Sequence, residues 1–144
     1  MTECPCGSEL TLAQCCGPFL DGEPAPTAEA LMRSRYSAFA TGNEDHLFRS
    51  WHPRTRPAAP FVSPVTQWLG LRIIKVDGGG PEDEHGLVEF EARWCDNLSG
   101  QIATMRERSQ FEKRAGRWVY VSGEVDNTGG QHNTVSHRAT VEGI

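Results

Sequence analysis

Five cysteines are the residues of this 144-residue chain best suited to chemistry, and four of them, Cys4, Cys6, Cys15 and Cys16, fall within its first 16 residues. The pattern is Cys-x-Cys, eight intervening residues, then Cys-Cys. A disulfide framework needs an oxidising compartment and cysteines spread over the fold. These are clustered, and a segment this short cannot build a core, so something else must order it. Four thiolates around one Zn²⁺, at Zn–S distances of about 2.3 Å, would do so. Pro5 stiffens the first pair, and Gly7 and Gly17 let the backbone turn beside each pair. Amides near Gly7 and Ser8 could donate to sulfur and relieve the charge of the thiolates. Four sulfur ligands leave no open coordination position, so such a site is structural. The competing readings are a thiol–disulfide redox centre at Cys4/Cys6 or Cys15/Cys16, and unliganded surface thiols. The redox reading lacks the Cys-x-x-Cys spacing at a helix start that tunes thiol reactivity. Cys95, alone beside Trp94, reads as a buried or half-buried thiol.

Composition narrows the partners. The net charge is −5, with 38% apolar and 23% charged residues, as expected of a globular chain. Residues 1–30 hold five acids and no base, residues 31–60 sum to +3, and residues 77–91 hold six acids and no base. There is an Arg-rich patch (Arg49, Arg54, Arg56) but no broad basic face, which argues against specific DNA binding. No apolar run is long enough to span a bilayer. The first 20 residues carry no Lys or Arg, so we expect no secretory signal and a cytoplasmic protein. Gly78-Gly79-Gly80 is flanked by acids and precedes no helix, so it is not a phosphate loop. No Gly-x-Ser-x-Gly elbow occurs.

The remaining chain must supply the scaffold. Asp21 to Pro26 reads as a linker between a knuckle over residues 1–20 and a domain over 27–126. Thr27 caps a predicted helix from Ala28, with Leu31, Met32, Tyr36, Ala38 and Phe39 on its apolar side and Gly42 at its end. Asn43 caps a second helix with Leu47, Phe48 and Trp51 inward, stopped by Pro53. Ser63-Pro64 is expected to open a short third helix carrying Val65, Trp68 and Leu69. From Leu71 to Val76 the chain turns β. Val88, Phe90, Ala92 and Trp94 alternate with charged residues, and Met105–Lys113 with Arg117–Val125 form a hairpin about Arg114-Ala115-Gly116. Helices followed by an antiparallel sheet give an α+β fold. Residues 127–144 have no periodicity and are expected to be a disordered tail. His132 and His137 within it are a weak candidate metal pair.

Cys4-Pro5-Cys6-Gly7-Ser8 with Cys15-Cys16-Gly17 resembles the SEC-C zinc motif found at the C-terminus of the SecA translocase. Leu31 to Phe39, Trp51-His52-Pro53 and Gly116 to Val121 extend the resemblance to the YchJ family of small bacterial proteins. The resemblance implies a nuclear transport factor 2-like (NTF2-like) cone, in which a curved antiparallel sheet wraps around helices. It departs from common SEC-C motifs in having no Lys between the cysteine pairs, from Glu9 to Gln14. This argues against phosphate or lipid binding by the knuckle itself.

A cone has a mouth that could hold a small ligand, and there His52 and Glu107, with Tyr36 or Tyr120, are the candidate catalytic groups. A cone enzyme needs a carboxylate base and buried acids in such a pocket. His52 could instead cap carbonyls beside Trp51, and Trp94, Trp118 and Phe111 could be core. Arg33 and Arg35 diverge by about 200° around a helix, so they cannot clamp one ligand. One of them would pair with an internal carboxylate such as Glu107, and the other would face solvent or a partner. Two functions follow. The favoured one is a zinc-binding adaptor docking a protein partner, linked by its SEC-C resemblance to the secretion machinery or the ribosome, since the SecA copy engages the SecB chaperone. The alternative is a small-molecule binding protein or enzyme using the cone pocket.

Overall fold

The computed structural model describes residues 2–127. Four antiparallel strands in sequential order form one sheet: β1 Thr66–Gly78, β2 His85–Asp96, β3 Ile102–Arg114 and β4 Arg117–Asn127. Ahead of them come a 3-10 turn at Leu12–Gln14 and helices α1 Gly17–Leu20, α2 Ala28–Thr41 and α3 Glu44–Arg49. The expected tail lies outside the described residues, apart from Asn127 at the end of β4, and so do His132 and His137.

Helix α2 forms where local chemistry asks for it. The Thr27 hydroxyl accepts the Ala30 N–H at 3.0 Å, and Gly42 closes the helix in the left-handed conformation. It packs on one face of the sheet, against β1, β2 and β4, and its apolar residues share one core with Val88, Phe90 and Ala92 of β2 and Met105 and Phe111 of β3. The opposite face carries charge, with Arg72, Glu91, Arg106 and Glu89 paired across strands and Arg108 beside Glu124. The β3–β4 hairpin turns at Ala115-Gly116, both with positive φ (51° and 81°), the geometry of a tight two-residue connection.

Two expected elements are corrected. Pro64-Val65 is a turn and starts no helix, because β1 already begins at Thr66. The register slips between Trp68 and Gly70, so Trp68 reaches Tyr36 and Phe39 while Leu69 stays partly exposed. Helix α3 ends at Arg49, short of Trp51 and Pro53, because the next residues join the sheet. Ser50 C=O accepts the Tyr120 N–H at 2.8 Å, and the His52 N–H donates to Tyr120 C=O at 2.8 Å. Trp51 is buried as expected, but Phe48 faces solvent with the Arg56 guanidinium stacked 3.7 Å from its ring centroid.

A cysteine cluster docked on a buried-charge domain

The N-terminal segment folds back on itself through short-range hydrogen bonds. Cys4 N–H donates to Leu10 C=O and Leu12 N–H to Thr2 C=O, both at 2.9 Å, closing a small loop between the two cysteine pairs. Gly7 turns with φ +83°, a conformation that side chains resist. The Thr11 hydroxyl caps the 3-10 turn that delivers Cys15 and Cys16. The result brings the ligand atoms of Cys4, Cys6, Cys15 and Cys16 within 4.8 Å of one another, a set that could hold one metal ion. Cys6 and Cys15 sulfurs lie 3.6 Å apart, and those of Cys15 and Cys16 3.9 Å.

Surrounding donors point at the sulfurs. Ser8 Oγ donates to Cys15 Sγ at 3.1 Å, Ser37 Oγ lies 3.5 Å from Cys4 Sγ, and Arg33 donates to Cys6 C=O at 3.1 Å and to Cys6 Sγ at 3.8 Å. Hydrogen bonding from Cys16 brings the Cys6 thiol down to about 4, against its burial, with Ser8, Arg33 and Cys4 assisting. Cys16 is driven up by the neighbouring Cys6, and Cys15 by burial. The Arg33 guanidinium thus lies beside Cys6, where it favours a thiolate. Ser37 and Arg33 belong to α2, and their role here was not legible from the cysteine spacing. The signal lay in the divergence of Arg33 and Arg35, which sends one arginine outward from the core toward whatever covers α2.

The other arginine goes inside. Arg35 is fully buried, sandwiched 4.6 Å from the ring centroids of Trp51 and Tyr120, and donates to Ser50 Oγ at 2.7 Å. Burial pushes its pKa down to about 10, with Tyr120 and Glu107 opposing the shift, so it stays charged at neutral pH. Glu107 is likewise buried, and one of its carboxylate oxygens accepts Ser109 Oγ at 2.7 Å and Tyr120 Oη at 2.8 Å. Gly123 makes room for it, since a side chain there would collide with that carboxylate. Burial and the Glu107 charge raise the Tyr120 phenol well above its ordinary value, so it remains a donor.

His52 stands apart from this cluster. Its Nδ1 accepts the Arg54 N–H at 3.0 Å, and its Nε2 lies 3.7 Å from Glu112 Oε1. The two candidate catalytic residues thus have different side-chain partners. Phe111 and Trp118 are core, while Trp94 and Cys95 are half-buried. Tyr36 packs edge-on against Trp68, and burial lifts its phenol to about 12.

A curved antiparallel sheet around one long helix, with a four-cysteine cluster docked on that helix, defines an NTF2-like α+β protein bearing a SEC-C motif. The description "YchJ, middle NTF2-like domain" matches residues 27–123, and the SEC-C motif matches residues 3–18. The chain belongs to the YchJ family. It is 50% identical over 127 residues to a UPF0225 protein of Chromobacterium violaceum, spanning 85% of this chain and 92% of that one. A UPF0225 protein of Corynebacterium glutamicum is 46% identical, over 85% of this chain and 97% of its own. The solution structure of a SEC-C motif-containing protein from Rhodopseudomonas palustris superposes with a TM-score of 0.72 at 35% identity, covering 85% of this chain and 98% of that one. A crystal structure from Psychrobacter arcticus shares the fold, with a TM-score of 0.65 at 23% identity, over 93% and 84% of the two chains. Among the described residues, no helix is long and apolar enough to cross a membrane.

Proposed function

We propose that this protein is a cytoplasmic, zinc-stabilised adaptor that docks a protein partner through its N-terminal knuckle. The observation carrying the reading is the convergence of four sulfurs with their own donors. A tetrahedral Zn²⁺ with Zn–S bonds of about 2.3 Å needs S···S edges of about 3.8 Å. The Cys6–Cys15 and Cys15–Cys16 separations of 3.6 and 3.9 Å meet that requirement. Cys4, Cys6, Cys15 and Cys16 would hold the ion, and the ion would supply charge and shape rather than reactivity, since thiolates fill every position. Exposed Glu3 and Glu9 would make the knuckle surface acidic, while exposed Arg54 lies in the basic segment beyond α3. A surface of two signs orients a protein partner and suits a nucleic-acid backbone poorly. The SEC-C resemblance makes secretion and ribosome-associated proteins the first partners to test.

Packing of the concave face favours this reading over an enzyme in the cone. Glu107 and Tyr120 are engaged with each other and Ser109, and the carboxylate is fully buried. The test is chemical crosslinking and pull-down from the source cell with the native chain, Cys15→Ser, Glu9→Lys and Arg54→Glu. The same identified partner should be retained by the native chain, lost with Cys15→Ser and weakened by either charge reversal, without a large change in thermal stability. Retention indifferent to all three changes would overturn the adaptor reading.

A further inference from the structure

A cleft of about 170 Å³ opens between the linker after α1, the chain following α3 and the β3–β4 hairpin. Arg49, Arg56, Arg114 and Arg117 line it, against a single acid, Glu23. Arg49 is already committed, paired with Asp45 and bonded to Leu20 C=O. The other three have no ion-pair partner among the described residues. Two of them are nonetheless fixed in place. Arg56 donates to Phe48 C=O at 3.2 Å with its guanidinium 3.7 Å from the Phe48 ring centroid, and Arg117 donates to Gly22 C=O at 3.2 Å. A guanidinium has five N–H donors, so each keeps donors that these bonds do not use. Arg114 is exposed at the hairpin end, and its side chain makes no hydrogen bond among the described residues.

Volume and surroundings limit what can enter. At roughly 30 Å³ per water, the cleft holds the equivalent of about six waters. That is room for one side-chain head, and it falls below the roughly 300 Å³ of a drug-sized pocket. Phe19, Pro24 and Pro53 add apolar surface that is at least partly exposed. A nucleic-acid backbone is met by a continuous basic face. Here acids flank the arginines. Exposed Asp21 and Glu23 lie in the linker, and exposed Glu82, Asp83 and Glu84 lie in the neighbouring β1–β2 loop, where Glu84 C=O accepts the Lys113 N–H at 2.9 Å. Those acids repel a polyanion running past the cleft, while the arginines stay available to a single carboxylate inserted into it.

We propose that this cleft is a second docking site, on the sheet domain, for an acidic segment of a partner protein. One aspartate or glutamate carboxylate enters between Arg56, Arg114 and Arg117, and an apolar neighbour in the segment lies against Phe19, Pro24 and Pro53. Guanidinium forks match the two oxygens of a carboxylate, and arginines already held by backbone carbonyls lose little freedom on binding it. That the occupant belongs to a protein rests on the adaptor reading. The site itself lies in the body of the molecule, apart from the cysteine cluster.

The experiment is an amide chemical-shift titration of the full chain, purified under reducing conditions and held at constant ionic strength. The probes are a blocked peptide with adjacent glutamates between leucines, its glutamine counterpart, and a thymidine trinucleotide of the same charge as the glutamate peptide. The glutamate peptide should shift amides of residues 19–25, 53–56 and 114–119 saturably. The glutamine peptide and the trinucleotide should each bind at least about fivefold more weakly. Arg114→Glu, at the exposed hairpin end, should weaken the glutamate peptide by about tenfold. Arg114→Gln should weaken it by about three- to fivefold, and it decides if the charge reversal does not fold. Exposed Arg93, opposite Thr104 toward the other end of the sheet, is the control, and Arg93→Glu should change binding by less than about twofold. A linear, unsaturating shift, equal binding of the glutamine peptide, equal or tighter binding of the trinucleotide, or an effect of Arg93→Glu matching that at Arg114 would each overturn the proposal. Because the peptides are synthetic, this site and the adaptor reading fail separately.

Discussion

The knuckle and the sheet domain both remove charge from water, and they do so in opposite ways. In the domain, Arg35 and Glu107 are compensated by side chains of the fold itself: the Trp51 and Tyr120 faces, Ser50, Ser109 and the Tyr120 hydroxyl. In the knuckle, four sulfurs face one another, and the 3-10 turn and α1 bury no residue completely. The domain has strand ladders and a contiguous core to hold its polar cluster in place. The knuckle rests on a few backbone bonds and on its seat against α2, where Arg33 and Ser37 reach it. A short segment that gathers four thiols without its own core is suited to an outside charge, and a metal ion held by the four sulfurs would provide one.

That contrast breaks most sharply on metal removal. Zinc binding to small thiolate sites is worth on the order of 10 kcal/mol and acts as folding energy. Chelation, or Cys16→Ser, should therefore deprotect amides in residues 2–20 while those of Phe90 and Val119 stay protected in hydrogen exchange. Cys4, Cys6 and Cys16 share the core with α2, so global loss of protection would show that the cluster is integral to the domain. Next in size is Glu107→Ala, which removes the carboxylate whose charge opposes the effect of burial on Arg35. Breaking a buried pair from one side costs about 3–5 kcal/mol, and thermal unfolding of the metal-loaded chain should report it. A near-neutral result would show that Arg35 does not depend on Glu107.

Arg33→Ala sharpens the comparison at the seam between the two regions. It removes the guanidinium from Cys6 and should weaken metal affinity by about 10- to 100-fold in a competition titration, with little change in the sheet. The smallest effect is a pH dependence confined to the domain. His46 has a folded pKa of about 3, against 6.5 when free, so the unfolded chain takes up a proton that the folded one refuses. Its contribution is complete above pH 6.5 and is lost as pH falls from there toward about 3, by at most about 1.4 kcal/mol per pH unit. His46→Gln, which can still hydrogen-bond Ser34, should flatten the fall in melting temperature between pH 7 and pH 5.

Local signals in the sequence carried much of the architecture. Cysteine spacing in a segment too short for a core predicted the cluster, Thr27 and Gly42 bracketed α2, and Arg114-Ala115-Gly116 marked the hairpin. The misreadings have tertiary causes. Val65, Trp68 and Leu69 mimic helical spacing because a bulge in β1 breaks the alternation, and only the packing of Trp68 on Tyr36 and Phe39 exposes it as a strand. Residues 50–52 leave α3 because Tyr120 offers them backbone partners 70 positions away. Glu107 was legible as inward-facing from its alternation with Met105, Ser109 and Phe111, and the divergence of Arg33 and Arg35 sent one arginine inside. The hydrogen bonds that Ser109 and Tyr120 donate to Glu107 were visible only in three dimensions. So was the pairing of His46 with Ser34.

The central claim is that one zinc ion completes the knuckle. Elemental analysis with X-ray absorption on the protein purified under reducing conditions tests it most directly. The account predicts one zinc per chain, surrounded by four sulfurs at about 2.3 Å, with no oxygen or nitrogen ligand. Metal-free protein carrying a Cys4–Cys6 or Cys15–Cys16 disulfide under the same handling would contradict it.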